Sequence, residues 1–278
     1  MLPAVRRLGR PLVVTFHGHD ATRWDCEFAA GRYSDRLYLQ RRDWLIGSAA
    51  RVIAVSAFLR VELLARGFPA HLVAVHHIGV DVEAIGAAAG RKERGLVAFV
   101  GRLVPNKGCE DLLLAAARLC RERTAPRLVI IGDGPQRRHL QALADRLRLD
   151  AEFTGTLPLR AVWRWLGRAT VAVVPSRTGA DGRMEAFGLV AAEAQAAGTP
   201  VVAYDSGGLG EAVSAGVGGL LVPEGDIRTL SVAIAHLLGD PGQAEAMGRA
   251  GRDWVRAERN IEIQTRRLEA IYDEVAAR

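Results

Sequence analysis

The segment GRMEAFGLVAAEAQAAGTPVVAY, residues 182 to 204, gives the clearest indication of the architecture of this chain. Its middle is rich in Ala, Leu, Glu and Gln, which favour a helix. Gly198 followed by Pro200 ends that helix, because glycine terminates helices readily and proline cannot continue one. The run from Val201 to Tyr204 is typical of a short strand. The stretch therefore predicts a helix that leads directly into a strand.

Two acidic residues, Glu185 and Glu193, stand eight positions apart in this stretch. A helix rises about 1.5 Å per residue, so eight positions span roughly 12 Å. The carboxylates of a glycoside hydrolase lie closer, at roughly 5 to 9.5 Å. The spacing suits a nucleotide sugar laid across a helix start, where unpaired N–H groups and the helix dipole favour a diphosphate. The alternative is a surface glutamate and a helix glutamate with no shared role.

The same stretch resembles the Glu-x7-Glu signature of retaining glycosyltransferases of family 4, which have the GT-B architecture of two Rossmann-like domains. The resemblance implies that Glu185 contacts the donor sugar and that Glu193 holds the nucleotide ribose. It also implies that the phosphates meet the amides of Phe187, Gly188 and Leu189. One departure is visible, because many members have Gly after the first Glu and this chain has Ala186.

Composition narrows the class of protein. At 278 residues the chain is long enough for two domains, and a hydrophobic content of 49% excludes a disordered chain. The net charge of +6 is carried almost wholly by Arg, since the only lysines are Lys92 and Lys107. A basic surface suits a phosphate-bearing donor or an anionic membrane face. The arginines are scattered, so nucleic acid is not predicted as a partner, and a generic solvated surface also fits.

The three cysteines form no Cys-x-x-Cys pair, so neither a disulfide framework nor a cysteine zinc site is predicted. No run approaches 18 apolar residues, and Arg6, Arg7 and Arg10 interrupt the segment in which a signal core would lie. These features predict a soluble, cytoplasmic protein. Any membrane contact is expected to be peripheral, at the inner membrane face.

The run 12–16, LVVTF, predicts a buried parallel strand that ends at His17-Gly18-His19-Asp20. Ligands of such sheets sit beyond the carboxyl ends of strands, which places His17 towards a cleft. The resemblance implies that His17 lines the donor sugar, while a structural histidine is the alternative. His19 and Asp20 could join His17 as metal ligands, but neighbours two apart on a strand or loop point different ways and no Asp-x-Asp motif occurs. The sequence therefore predicts no metal and no cofactor.

The remainder of the first half predicts few elements. A helix at 35–46, a strand at 51–56, a helix at 58–66 and a strand at 72–76 precede a Gly- and Ala-rich segment, 83–95, interpreted as the interdomain linker. Three strands are few for a doubly wound domain, whose sheet edges are normally covered. We expect that the first half of this domain is missing and that the sheet has an exposed edge.

From Leu96 onwards, strands and helices alternate regularly, which predicts a parallel sheet with helices on both faces. The predicted strands lie at about 96–100, 127–131, 151–154, 170–174, 200–204 and 219–222. The predicted helices lie at about 108–122, 135–147, 159–168, 188–197, 208–214, 226–238, 241–257 and 260–276. The predicted fold is α/β of GT-B type. It has an incomplete N-terminal domain at 1–88 and a nucleotide-sugar-binding domain at 89–258. The resemblance implies that a final helix, 259–278, packs back towards the first domain.

The segment VGRLVPNKG, residues 100–108, places two cations at a strand end. Arg102 and Lys107 flank a turn made by Pro105 and Asn106, so both cations could converge on one diphosphate. The segment is not a Walker loop, because no Ser or Thr follows the lysine. It resembles the family motif G-R-L-x-x-x-K-G, whose Arg and Lys bind the donor diphosphate. A solvated turn is the alternative.

Three further segments resemble family motifs. Gly132-Asp133-Gly134-Pro135 matches a turn that shapes a strand-to-helix corner and lacks the third glycine of a dinucleotide fingerprint. The segment 153–157 matches one that packs near the nucleotide base, with Thr156 and Leu157 as candidates. The segment 206–211 resembles a flexible family loop, and Glu211 at its end is assigned no catalytic role.

The predicted activity is transfer of a hexose from a nucleotide-diphosphate sugar to a glycan or lipid-linked acceptor, with retention and without a metal. The resemblance is nearest to transferases of exopolysaccharide or lipopolysaccharide assembly. Two alternatives remain, a nucleotide-sugar-binding module without turnover and a nucleotide-sugar epimerase of related fold. The predicted catalytic residues are His17, Glu185, Arg102 and Lys107. The predicted donor-binding residues are Phe187, Gly188, Leu189, Glu193, Thr156 and Leu157.

Overall fold

A computed structural model describes residues 9–122 and 124–277, without the side chain of His19. The described residues form two parallel β-sheets with helices packed against them. The smaller sheet has three strands in the order β1-β2-β3, and the larger has six in the order β6-β5-β4-β7-β8-β9. The paired strands are parallel in both sheets, as the buried β-branched runs predict.

The first region, residues 9–88, contains the smaller sheet. Its strands are β1 (Leu12–Phe16), β2 (Ala49–Ala54) and β3 (Val73–Val75). Its helices are α1 (His19–Thr22), α2 (Asp25–Ala29), α3 (Tyr33–Ser48), α4 (Ala57–Ala65) and α5 (Val82–Ala88). The sequence predicted α3 and α4 but not the short helices α1 and α2.

The second region, residues 96–258, contains the larger sheet and is followed by a final helix. Its strands are β4 (Leu96–Val100), β5 (Arg127–Ile131), β6 (Asp150–Gly155), β7 (Val171–Val174), β8 (Val201–Asp205) and β9 (Gly219–Pro223). The helices are α6 (Cys109–Arg121), α7 (Arg137–Leu147), α8 (Leu159–Arg168), α9 (Leu189–Ala196), α10 (Leu209–Ala212), α11 (Ile227–Gly239), α12 (Pro241–Glu258) and the final α13 (Ile261–Ala276). These bounds agree with the predicted alternation to within a few residues.

The segment predicted as an interdomain linker, 83–95, contains the helix α5 in its first half. The Asp81 side chain accepts a hydrogen bond from the Ala84 amide at 2.9 Å and begins the helix. Val82 and Ile85, three residues apart, are both buried. The Ala and Gly content of the segment gave no indication of this helix, which the sequence did not predict.

The two sheets differ in how their strands are covered. β4 and β7 lie inside the larger sheet and are almost wholly buried. Within the described residues β1 pairs with β2 alone, and only Phe16 of its five residues is buried. A groove of about 390 Å³ runs beside β1 and is lined mainly by apolar side chains of β1 and α3.

The final helix α13 contacts the first region. Val80 donates a backbone hydrogen bond to Arg259 and accepts one from Ile261, so the start of α13 is joined to the chain before α5. His76 Nε2 lies 2.8 Å from the carbonyl oxygen of Gln264. Across the described part of the chain, no helix combines the length and the apolar character needed to cross a membrane.

Candidate functional site

The candidate site lies at the carboxyl ends of the neighbouring strands β4 and β7. Here the side on which successive strands are added to the larger sheet changes. From β4 the chain adds β5 and β6 on one side, and β7, β8 and β9 on the other. Ligands of open α/β sheets bind in the crevice that such a reversal creates. A cavity of about 140 Å³ occupies this position and is lined by Phe99, Val100, Lys107, Val174, Ser176, Glu185, Gly188, Leu189 and Val190.

A cation and a carboxylate meet in this cavity. Lys107 Nζ donates a short hydrogen bond to Glu185 Oε2 and forms an ion pair with it. Ser176 Oγ donates to the same oxygen at 3.3 Å. Both charged side chains are largely buried. The structure therefore brings together Lys107 and Glu185, which are 78 residues apart in sequence.

The backbone around Lys107 is fixed by close contact with the end of β7. Gly108 has a φ of +67°, and a Cβ added there would lie 1.9 Å from the carbonyl oxygen of Pro175. Only glycine fits this combination of left-handed backbone and contact. Arg177 donates from its amide to the Asn106 carbonyl at 2.9 Å and from Nε to the Pro105 carbonyl at 3.3 Å. Lys107 is thus carried on a turn that is attached to the neighbouring strand.

A buried polar cluster supports this turn. Arg177 Nη1 contacts Asp111 Oδ1 at 3.1 Å, and the Tyr204 hydroxyl donates to Asp111 Oδ2 at 3.0 Å. Burial raises the pKa of Asp111, although Arg177 and Tyr204 act in the opposite direction. Because Asp111 lies in the first turn of α6, the cluster ties that helix to β8 and to the loop after β7.

The start of α9 offers backbone donors to the cavity. Gly188 precedes the helix with a φ of +93°, and a Cβ there would lie 2.5 Å from Leu209 Cδ2. Among the described residues, no acceptor is found for the amide N–H groups of Phe187, Gly188 and Leu189. The first turn of a helix leaves such donors unpaired and carries the positive end of its dipole. Gly188 and Leu189 line the cavity, so their amides are donors suited to an anion there.

The loop after β8 closes against Glu185. The Gly208 amide donates to the Glu185 carbonyl at 2.7 Å. A Cβ on Gly207 would lie 2.3 Å from that carbonyl oxygen, and one on Gly208 would lie 2.1 Å from the Ala186 oxygen. The segment 206–211, described from sequence as a flexible loop, is closely packed and contains the first residues of α10.

The loop after β1 also reaches this segment. Gly18 is buried with a φ of +130°, and a Cβ there would lie 2.7 Å from Ala186 Cβ. The methyl group of Ala186, which departs from the family pattern, therefore packs directly on Gly18. His17 is exposed and immediately precedes this contact. The structure thus places His17 beside the Glu185 segment, although the two residues belong to different sheets.

The other predicted site residues lie farther from the cavity. Arg102 and Thr156 are exposed, Leu157 packs against the core, and none of the three lines the cavity. Glu193 lies one helical turn beyond Leu189 and is only 8% exposed. Burial raises the pKa of Glu193, while a hydrogen bond from Trp163 acts to lower it.

Glu211 joins the two regions, a role that the sequence analysis missed. Its carboxylate accepts hydrogen bonds from the Ala57 and Phe58 amides at 2.7 and 2.8 Å, at the start of α4. His77 Nε2 lies 2.9 Å from Glu211 Oε2. The buried Arg259 donates from Nη2 to the Glu211 carbonyl at 3.0 Å. The second region thus supplies the acid that caps a helix of the first.

Comparisons with known proteins identify the family of this chain. Residues 82–254 match the model of Glycosyl transferases group 1, and residues 1–84 match that of Glycosyltransferase Family 4. The chain is 36% identical over 269 residues to a GDP-mannose-dependent alpha-(1-6)-phosphatidylinositol monomannoside mannosyltransferase of Mycolicibacterium smegmatis. That match covers 91% of this chain and 67% of the relative. A glycogen synthase of Mycobacterium tuberculosis is 34% identical over 248 residues, which cover 87% of this chain and 58% of the relative.

Solved structures show the same fold. Sucrose-phosphate synthase from Thermosynechococcus elongatus superposes with a TM-score of 0.75 at 28% identity, over 95% of this chain and 68% of that one. Anabaena Alr3699/HepE, solved in complex with UDP and glucose, superposes with a TM-score of 0.78 at 22% identity, over 98% of this chain and 74% of that one. The chain has the GT-B architecture and belongs to the glycosyl transferases group 1 family.

Proposed function

We propose that this protein transfers a hexose from a nucleotide-diphosphate sugar to a glycan or lipid-linked acceptor, with retention of the anomeric configuration. The observation that carries the proposal is the cavity between β4 and β7. Its lining includes Lys107, Glu185 and the start of α9 at Gly188 and Leu189, whose amides have no acceptor among the described residues. A diphosphate and the sugar attached to it need this combination of donors and acceptor.

The leaving diphosphate gains negative charge as the glycosidic bond breaks. Fixed donors stabilise that charge without reorganising, and removal of a single such donor typically costs 10²- to 10³-fold in rate. Lys107 and the amides at the start of α9 fill this role. Arg102 is exposed on the loop after β4 and would contact the outer phosphate on donor binding.

The donor sugar would lie between Glu185 and His17. The packing of Ala186 on Gly18, which brings His17 near the Glu185 segment, supports this placement. In the proposed reaction the acceptor hydroxyl attacks the face from which the diphosphate leaves. The leaving phosphate accepts the proton of that hydroxyl, and the new glycosidic bond forms as the old one breaks, so no covalent enzyme intermediate is needed.

The relatives support the donor class. They include a GDP-mannose-dependent mannosyltransferase, and Anabaena Alr3699/HepE has been solved in complex with UDP and with UDP-glucose. The mannosyltransferase acts on a phosphatidylinositol mannoside, a lipid-linked acceptor. Such an acceptor would bring this protein to a membrane face, where the net charge of +6 favours anionic lipid.

The test incubates the full chain with UDP-glucose or GDP-mannose and a lipid extract or glycan acceptor. We expect release of nucleoside diphosphate that depends on acceptor, and a product with the anomeric configuration of the donor by NMR. Lys107→Ala should lower this rate by about 100-fold. Arg121→Ala, which removes an exposed cation at the far end of α6, is the matched control and should leave the rate unchanged.

The same assay separates two other activities. A nucleotide-sugar-binding module would bind the diphosphate with neither transfer nor hydrolysis. An epimerase would convert donor to an isomer in the absence of acceptor. Either result across a panel of acceptors would contradict the proposed transfer.

A further inference from the structure

A second cavity lies between α8 and the end of α5, and we call it the arginine groove. Its volume is about 460 Å³, within the range of roughly 300 to 1,000 Å³ that is typical of ligand sites. It shares no lining residue with the cavity at β4 and β7. The residues that line it are Ala87, Ala88, Ala89, Gly90, Arg160, Arg164 and Arg168.

The charge of the arginine groove has one sign. Arg160, Arg164 and Arg168 follow one another at intervals of four residues on α8, so their side chains share a helix face. The rest of the lining is alanine and glycine, so it contains no acid. Arg160 and Arg164 are exposed, and the described part of the chain offers neither side chain a hydrogen bond or an ion pair. Two positive charges therefore line the groove without a partner there.

The third arginine of the groove is held in one orientation. Arg168 Nη2 donates to Glu93 Oε2 at 2.7 Å, and its guanidinium carbon lies 4.0 Å from the centroid of the Trp165 ring. A Cβ on Gly90 would lie 2.5 Å from Arg168 Cγ, so the glycine leaves room for this side chain. Glu93 also accepts a hydrogen bond from Arg127. One acid is thus shared by two arginines and neutralises Arg168 only in part.

The empty groove is electrostatically unfavourable. Like charges four residues apart on a helix repel each other, and α8 carries two such pairs in succession. The carboxyl end of α5 offsets part of this charge through its helix dipole, but α5 has only seven residues. An anion between neighbouring guanidinium groups would replace repulsion with attraction. Arginine binds phosphate in particular, because its planar fork donates two parallel hydrogen bonds to two phosphate oxygens.

We propose that the arginine groove binds a phosphate group, which Arg160 and Arg164 hold through paired N–H donors while Arg168 completes the positive wall. The ligand is a compound with an exposed phosphate, either free in solution or as the head group of an anionic lipid. Because α5 belongs to the first region and α8 to the second, the bound phosphate lies where the two regions meet. The inference goes beyond the proposed function and does not depend on it.

Calorimetry on the full chain tests the groove in solution, with inorganic phosphate and pyrophosphate as probes. Arg160→Gln/Arg164→Gln should bind the better probe at least about tenfold more weakly than the wild type, because charged hydrogen bonds are lost. Added NaCl should weaken the wild-type binding, since the arginines are exposed. Arg138→Gln/Arg146→Gln removes two exposed arginines of α7 and is the matched control, which should keep the wild-type affinity.

Pyrophosphate also suits the cavity at β4 and β7, so the two sites must be measured apart. Lys107→Ala should weaken pyrophosphate binding at that cavity and leave the binding that depends on Arg160 and Arg164. Arg160→Gln/Arg164→Gln should in turn leave the affinity for UDP unchanged, because neither arginine lines that cavity.

Vesicles distinguish a lipid head group from a free phosphate. The full chain would be sedimented with phosphatidylcholine vesicles that contain or lack phosphatidic acid. If the ligand is a lipid, the wild type should bind the phosphatidic acid vesicles at least about tenfold more tightly than Arg160→Gln/Arg164→Gln does, and soluble phosphate should bind weakly. If the ligand is soluble, the calorimetric difference should appear and the vesicles should not separate the two proteins. Either result supports the site.

Thermal unfolding shows whether a loss of binding is a loss of folding. Without ligand, Arg160→Gln/Arg164→Gln should melt at the wild-type temperature or slightly above it, because the substitutions relieve repulsion. The better probe should raise the melting temperature of the wild type and not of the variant. Arg160→Lys/Arg164→Lys keeps the charges but loses the planar forks, so it should bind more weakly than the wild type.

Three results would overturn the arginine groove as a phosphate site. Phosphate, pyrophosphate and vesicle binding could all be independent of Arg160 and Arg164. The lysine variant could bind as tightly as the wild type, which would show diffuse attraction in place of a built site. The control Arg138→Gln/Arg146→Gln could lose as much affinity as the groove variant. Groove binding in a chain that binds no UDP would contradict the proposed function and support this inference.

Discussion

The two sheets contribute differently to the candidate site. The six-stranded sheet carries the cavity, with Lys107 and Glu185 fixed by buried strands and by turns that admit only glycine. The three-stranded sheet contributes the exposed loop at His17 and receives the Glu211 carboxylate at the start of α4. The comparison indicates that the larger sheet carries the cavity, and that the first region packs against the second through a shared apolar core as well as through the polar contacts of Glu211.

The largest difference is expected between two glycines with positive φ. At Gly108 an added Cβ would lie 1.9 Å from the Pro175 carbonyl oxygen, whereas at Gly67 (φ +88°) nothing lies within 4 Å. Gly67→Ala should cost about 1 kcal/mol for its left-handed backbone. Gly108→Ala adds a backbone clash and should cost about 3 kcal/mol or more. Urea unfolding checks both, and equal losses would contradict the close contact at Gly108.

Substitution of Glu211 is expected to weaken the contact between the two regions. Glu211→Ala leaves two amides and His77 without their acceptor and should cost about 2 kcal/mol. Glu62→Ala removes an i,i+4 ion pair with Arg66 on α4 and should cost less than about 0.5 kcal/mol. Hydrogen exchange should quicken at residues 57–60 in Glu211→Ala alone. Unchanged exchange there would show that Glu211 does not hold α4.

Glu211 also gives this contact a pH dependence. Although burial acts to raise the pKa of Glu211, hydrogen bonds from His77 and the two amides hold it below its usual value. A depressed carboxyl pKa adds stability above the unfolded pKa, and that stability is lost as pH falls through the folded pKa. Wild type and Glu211→Ala should therefore converge in stability at acidic pH.

Truncation of one valine in each sheet compares how much stability the two sheets gain from burial. Val173 in β7 is 1% exposed, whereas Val14 in β1 is partly exposed. Val173→Ala should cost about 2 kcal/mol and Val14→Ala about 1 kcal/mol or less, because the cost grows with burial and with the cavity left behind. Chemical denaturation of the two variants measures the difference. A larger loss at Val14 would mean that β1 is better covered than its exposure indicates.

A further prediction concerns pH and the segment between the two regions. Burial, aided by Arg252, lowers the pKa of Lys92 from 10.5 to about 7. Between these values the unfolded chain holds a proton that the folded chain lacks, so stability rises with pH, by about 1 kcal/mol per unit. Lys92→Met should flatten this rise between pH 7.5 and 9.5. Arg94→Met, which alters the same small cavity, should not.

The fold of the second region could be predicted from sequence because local and tertiary signals agree there. Short Val- and Ile-rich runs alternate with amphipathic helices, and the predicted bounds match β4 to β9 closely. In the first region, α1 and α2 have four and five residues, too short for a periodic pattern. The helix α5 was missed because only Val82 and Ile85 mark its buried face.

Only those site residues that lie in recognisable sequence motifs could be predicted. Lys107 and Glu185 were named from sequence, and the structure joins them. One feature of the sequence pointed to Ser176, namely its position just after a buried strand, and that feature was overlooked. No feature of the sequence pointed to Trp163 or Glu211. The partner of Trp163 lies 30 residues away, and the partners of the Glu211 carboxylate lie more than 130 residues away. Contacts of this kind are set by the packing of helices on sheets, which the sequence pattern does not specify.

Nucleotide binding would show whether Lys107 and the amides at the start of α9 form one pyrophosphate site. Calorimetry would compare UDP and GDP with their monophosphates on the wild type, Lys107→Ala and Arg121→Ala. We expect a diphosphate to bind more tightly than its monophosphate, and Lys107→Ala to lose at least about tenfold in diphosphate affinity while Arg121→Ala loses none. Equal affinities for the two variants would contradict the claim and remove Lys107 from the site.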